Sequence, residues 1–124
     1  MAAPLTVDEY IAGFPPEVRD RLSRIRTTIV TAVRDATGAE PEEKIRYGIA
    51  AVMLGGRYAL HYAGWKKHIG LYPVPSLPEA LESEVAAYRA EKDSVVLRHA
   101  QPLPEDLIAR IAVEIVAQRI RAES

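Results

Sequence analysis

The side chains of this sequence that could do chemistry fall into two groups. The first is basic and aromatic: Arg46, Tyr47, Lys66, His68, Tyr72 and Lys92. Guanidinium and ammonium heads beside phenol and imidazole donors suit an anion such as a carboxylate or phosphate, because hydrogen bonds to an ionised group are shorter and stronger than neutral ones. The second is acidic: Asp35, Glu40, Glu42 and Glu43. A hard cation such as iron takes several oxygen ligands, and carboxylates without a rigid cage hold it weakly and exchangeably, as a carrier requires. Each group also has an ordinary structural reading. Tyrosines wedge sheets against helices and lysines are solvated, while carboxylates in a loop serve solubility, and Arg19, Arg26 and Arg34 nearby weaken their field.

Other chemistries are poorly provided for. There is no cysteine, which excludes disulfides, thiolate zinc sites and cysteine nucleophiles together. No two of His61, His68 and His99 have the i, i+4 spacing of a helical metal pair, although neighbouring strands could bring His61 and His68 together. Ser76, Ser83 and Ser94 lack the glycines of a nucleophile elbow, and no glycine-rich phosphate loop precedes a helix. An acid/base pair built on His68 and a nearby carboxylate leaves a low-turnover enzyme as the third-ranked expectation.

The elements that must position these groups are read from periodicity. Thr6 and Glu9 have capping-box spacing, which predicts a short helix from Val7 to Ala12, ended by Gly13 with Phe14 packed beneath the turn. Pro15 and Pro16 start a second helix whose apolar stripe is Val18, Leu22, Ile25, Ile29 and Val33, closed by Gly38. Residues 39–43 read as an acidic surface linker. Ile45 to Leu54 reads as one strand, and Gly55-Gly56 as a tight hairpin turn. Arg57 to Ala63 alternates, with Tyr58, Leu60 and Tyr62 on one face and Arg57, Ala59, His61 and Ala63 on the other. His68 to Tyr72 is a third strand, Glu79 to Arg89 a helix, and Asp93 to His99 a fourth strand. Pro102 and Pro104 precede a last helix with the stripe Leu103, Leu107, Ile108, Ile111, Ile115 and Ile120. The expected fold is α+β: an antiparallel meander plus a later strand, covered on one face by the N- and C-terminal helices as a two-layer sandwich.

Bulk properties fit one domain spanning residues 1–124, since domains are typically about 100–150 residues. With 16 basic and 17 acidic side chains the formal charge is −1, so no bulk field draws the chain to nucleic acid or an anionic membrane. The N-terminus shows no basic region followed by an apolar run, and no apolar run reaches the ~18–20 residues of a membrane span. A soluble, cytoplasmic protein is expected.

Several pieces in order resemble the YdhG-like family of domains of unknown function. They are Tyr10-Ile11 with Pro15-Pro16-Glu17-Val18-Arg19; Ile45-Arg46-Tyr47-Gly48; Lys66-Lys67-His68-Ile69-Gly70-Leu71-Tyr72-Pro73; Tyr88 and Lys92; and Pro102-Leu103-Pro104 with Leu107-Ile108. The chain departs from the family pattern at Ile49-Ala50, where a Met-Pro pair is common, and at Lys92-Asp93, where Lys-Gly is common. The resemblance implies an antiparallel sheet covered by terminal helices. It also implies a small binding or carrier domain, in some members a frataxin-like iron chaperone, which would place iron on Asp35, Glu40, Glu42 and Glu43. The second expectation is a small anionic ligand, or another protein, on the basic and aromatic rim. The partners expected are an iron-acceptor protein or that ligand, with no nucleic acid and no membrane, for a monomer or homodimer.

Overall fold

The computed structural model describes residues 3–123. The chain opens with helix α1 (Val7–Ala12), where Thr6 Oγ1 accepts from the Glu9 amide at 3.1 Å. The Glu9 carboxylate accepts in return from the Leu5 amide, one residue earlier than a capping box requires. Phe14 meets the Tyr10 ring edge-on and packs against Gly64, whose amide donates to the Tyr10 hydroxyl at 3.0 Å. Helix α2 (Pro16–Thr37) buries Leu22, Ile25, Ile29 and Val33. It ends at Gly38, whose φ of 77° lets its amide close the last turn onto Arg34.

Six strands form one antiparallel sheet in the order β1-β2-β3-β4-β6-β5. They are β1 (Glu43–Arg46), β2 (Ile49–Leu54), β3 (Arg57–Gly64), β4 (His68–Tyr72), β5 (Arg89–Glu91) and β6 (Ser94–Arg98). Between β4 and β5 lie helix α3 (Glu79–Val85) and one 3-10 turn, Ala86–Tyr88; helix α4 (Glu105–Glu123) ends the chain. The inner sheet face contributes Val52, Leu60, Tyr62, Ile69, Leu71 and Leu97 to one core with the buried stripes of α2 and α4. Among the described residues no helix covers the other face. The architecture is the expected α+β sandwich of two layers, and no helix among the described residues is long and apolar enough to cross a membrane.

Five sequence expectations are corrected in detail. The strand expected over residues 45–54 is two strands folded back at Tyr47-Gly48, both with positive φ, and Glu43, assigned to a linker, opens the first. The helix expected to reach Arg89 stops at Val85, because Arg89 is drawn into the sheet. Its guanidinium holds both Glu82 carboxylate oxygens, at 2.9 and 2.8 Å, and the carbonyls of Val74 and Pro75, each at 2.6 Å. Ile120 is 53% exposed; in that turn Arg119 faces the sheet instead, donating to the carbonyls of Leu54 and Tyr58. Finally, Tyr58 does not share a face with Leu60 and Tyr62. The register shifts between Val52 and Met53, so that Met53 pairs with Tyr58 where Val52 pairs with Leu60, and the extra residue turns Tyr58 to the opposite side.

Candidate functional site

The uncovered sheet face has a floor of small residues and a layer of rings above it. Ala51 pairs with His61, His61 with Tyr72, and Ala63 with Gly70, so these side chains share the side away from the helices. The bulge adds Tyr58, whose ring centre lies 5.0 Å from that of His61.

At one end of this face, Arg46 and His61 are linked through two tyrosines. The Arg46 guanidinium carbon lies 5.2 Å from the Tyr47 ring centre and 5.0 Å from that of Tyr58, within cation–π range of both. The Tyr47 ring in turn lies 5.9 Å from His61. Among the described residues the Arg46 side chain makes no hydrogen bond and no ion pair; its ring contacts are Tyr47 and Tyr58. The contrast is with Arg24, Arg26, Arg34, Arg89, Arg110 and Arg121, each of which holds a carboxylate.

Tyr47 is an unusual residue for its position. The Tyr47-Gly48 loop links the paired residues Arg46 and Ile49 with φ of 54° and 76°, a turn that favours Asn-Gly. A left-handed non-glycine residue costs about 1–2 kcal/mol, and here it also leaves a phenol ring 85% exposed. Beneath it His61 is only 5% exposed. Its Nδ1 lies 3.2 Å from the Tyr72 carbonyl. Burial pushes its pKa down, the bond to Tyr72 opposes this, and the Arg46 charge adds to the fall. The lowered pKa favours the neutral imidazole; the Tyr72 carbonyl can only accept, which puts a proton on Nδ1, and Nε2 is buried without a partner.

Toward β6 the layer continues with Trp65 and Tyr72. The Trp65 indole, 51% exposed, donates to the Tyr72 hydroxyl at 2.9 Å. The Trp65 carbonyl accepts from His99 Nε2 at 2.8 Å, and the Trp65 ring tilts over His68. Burial lowers the pKa of His68, with the nearby His99 and Arg98 acting the same way.

Of the basic and aromatic residues named from the sequence, Arg46, Tyr47, His68 and Tyr72 come together on this face or its edge. Lys66 sits in the β3–β4 loop at the same end of the sheet as the Tyr47 turn. Lys92 lies at the opposite end, in the β5–β6 turn, where its carbonyl accepts from Arg89 at 3.4 Å. Tyr58, His61 and Trp65 complete the surface. A signal for it stood in the sequence: from Lys44 to Pro78 there are five lysines and arginines and no carboxylate.

The acidic residues are dispersed. Glu43 is gripped at two points by Arg26, at 2.7 and 3.1 Å, and Arg26 also holds Asp8, which together raise the Arg26 pKa. Glu40 pairs with Arg34 at 3.2 Å. Asp35 lines a groove of about 600 Å³ on the outer side of α2 and α4, and Glu42 is exposed in the loop before β1. Among the described residues no three His, Asp or Glu side chains gather as a metal site.

A scan against protein-family models finds no match, and neither does a search of curated proteins. Among solved structures, a DUF1801 family protein of Bacillus subtilis, YdhG, superposes with a TM-score of 0.70. The two share 16% identity over 93% of this chain and 91% of the other. The fold is that of a DUF1801 protein. The likeness to YdhG-like domains read from the sequence thus holds for the fold.

Proposed function

We propose that this chain is a binding domain that takes up an anionic group, carboxylate or phosphate, on the open face of its sheet, with Arg46 as the recognising cation. The observation that carries this is the state of Arg46. It lies within cation–π range of two tyrosine rings while its hydrogen-bonding edge engages no acid. Stacking orients a guanidinium without consuming its N–H donors, so little freedom remains to be lost when a planar anion binds at two points. The acid-free stretch around it leaves the local charge uncompensated, although the chain as a whole is close to neutral.

The strain at Tyr47 supports the same reading. A turn that would be more stable as Asn-Gly carries an exposed aromatic ring, and that ring is one wall of the Arg46 site; such outliers concentrate where the ring or backbone has a task. The acidic residues support iron uptake less well, since Glu40 and Glu43 are committed to arginines. Titration calorimetry with phosphate and with succinate tests the proposal. Wild type binds at least one of them, Arg46→Ala abolishes the heat, and Arg46→Lys weakens binding about tenfold or more, because an ammonium cannot offer two parallel donors. Wild-type affinity in Arg46→Ala overturns it.

A further inference from the structure

Resting on that anion reading, we infer that the ligand carries its own hydrogen-bond donor beside the charge, the simplest such molecule being a 2-hydroxycarboxylate. Arg46 takes the carboxylate and His61 Nε2 accepts from the neighbouring hydroxyl. The tautomer of His61 is set by its neighbour: a carbonyl oxygen 3.2 Å away can only accept, so Nδ1 bears the hydrogen. Nε2 is then a lone-pair acceptor, and it is sealed from solvent with nothing donating to it. Buried polar atoms are nearly always paired, so an orphan acceptor beside an unpaired guanidinium marks a place for a ligand group.

The geometry allows one small molecule to serve both. Arg46 and His61 each touch the same two rings, Tyr47 and Tyr58, with every separation between 5.0 and 5.9 Å. They therefore stand at opposite corners of one four-sided cluster. A hydroxyl on the carbon next to a carboxylate places donor and anion side by side, which is the pairing that a guanidinium at one corner and a lone-pair acceptor at the other call for. Nε2 is sealed as the cluster stands, so a ligand reaches it only when one ring of the cluster moves. Tyr47 is the member that is mostly exposed, and a rotamer change on its two-residue turn breaks no strand pair. Among the described residues no protein donor reaches Nε2, and the Arg46 charge opposes protonation of His61.

Lactate and propionate differ only in the hydroxyl and provide the test. Lactate binds wild type about fivefold or more tightly than propionate, the value of one net hydrogen bond. Lactate, but not propionate, shifts the ¹⁵N resonance of His61 Nε2, and His61→Phe, folded by circular dichroism, binds the two acids equally. Equal affinities in wild type with a static Nε2 resonance overturn the hydroxyl inference and leave anion binding standing. A lactate preference that survives in His61→Phe also overturns it. Binding of neither acid to wild type overturns the hydroxycarboxylate inference, and overturns the anion reading as well only when phosphate and succinate also fail to bind.

Discussion

The Tyr72 ring lies flat across Gly70, so close that a β-carbon at position 70 would stand 1.9 Å from the phenol oxygen. Glycine at this strand centre is what lets the ring lie down and its hydroxyl meet the Trp65 indole. The open face is thus built by removing a side chain in one strand position and laying a ring into the space.

Gly70→Ala lifts the Tyr72 ring and costs about 1–3 kcal/mol, as overpacking does. It also frees the Trp65 indole, the only tryptophan in the chain, so its fluorescence shifts to the red. Tyr72→Phe gives the same shift and a smaller loss of about 1 kcal/mol, the value of one hydrogen bond. Urea unfolding and emission spectra check both.

At the β1–β2 turn, stability and binding pull apart. Tyr47→Asn relieves a left-handed tyrosine and stabilises the fold by about 1 kcal/mol. The same change removes one wall of the Arg46 site and weakens anion binding. A variant both less stable and wild-type in affinity contradicts the role given to Tyr47.

Much of this architecture was legible in the chain. The stripe of Leu22, Ile25, Ile29 and Val33 announces α2 because a helix repeats its face at a fixed period. Gly55-Gly56 announces a hairpin because glycine accepts positive φ freely. Tyr47 hid the other hairpin, since tyrosine ordinarily marks a strand. Arg46, Tyr47, His68 and Tyr72 were recognisable by type, but Tyr58 joins them only through the register shift after Val52. Lys92 parts from them because the β5–β6 turn falls at the far end of the sheet. Facing and end depend on pairing between distant strands, which local pattern does not encode.

Arg89 ties α3, the loop after β4 and the sheet edge together. Arg89→Met leaves the Val74 and Pro75 carbonyls without the Arg89 donor and Glu82 with only the Leu77 amide, and destabilises the protein by about 2–3 kcal/mol at pH 7. The Arg89 hydrogen bonds hold the Glu82 carboxyl below its ordinary value of 4.5. The contribution of the pair is therefore full above pH 4.5 and is lost as pH falls through the lower folded value. Denaturation of wild type and variant at pH 7 and pH 3 shows the gap narrowing in acid.

His61 gives a second pH dependence in a different window. Burial holds its folded pKa below the ordinary 6.5, so between the two values only the unfolded chain binds the proton. Stability is full above pH 6.5 and declines as pH falls below it. His68 is shifted the same way, so His61→Phe removes part of the decline between pH 7 and 5, read from melting temperatures across that range.

The state of Arg46 is observed most directly through the side-chain Nε–H signals of the arginines in a ¹H–¹⁵N spectrum, recorded while phosphate is added. The Arg46 signal moves and saturates, while those of Arg26 and Arg89, already locked to carboxylates, stay in place. A stationary Arg46 signal, or a drift shared equally by all the arginines, contradicts anion recognition at this site.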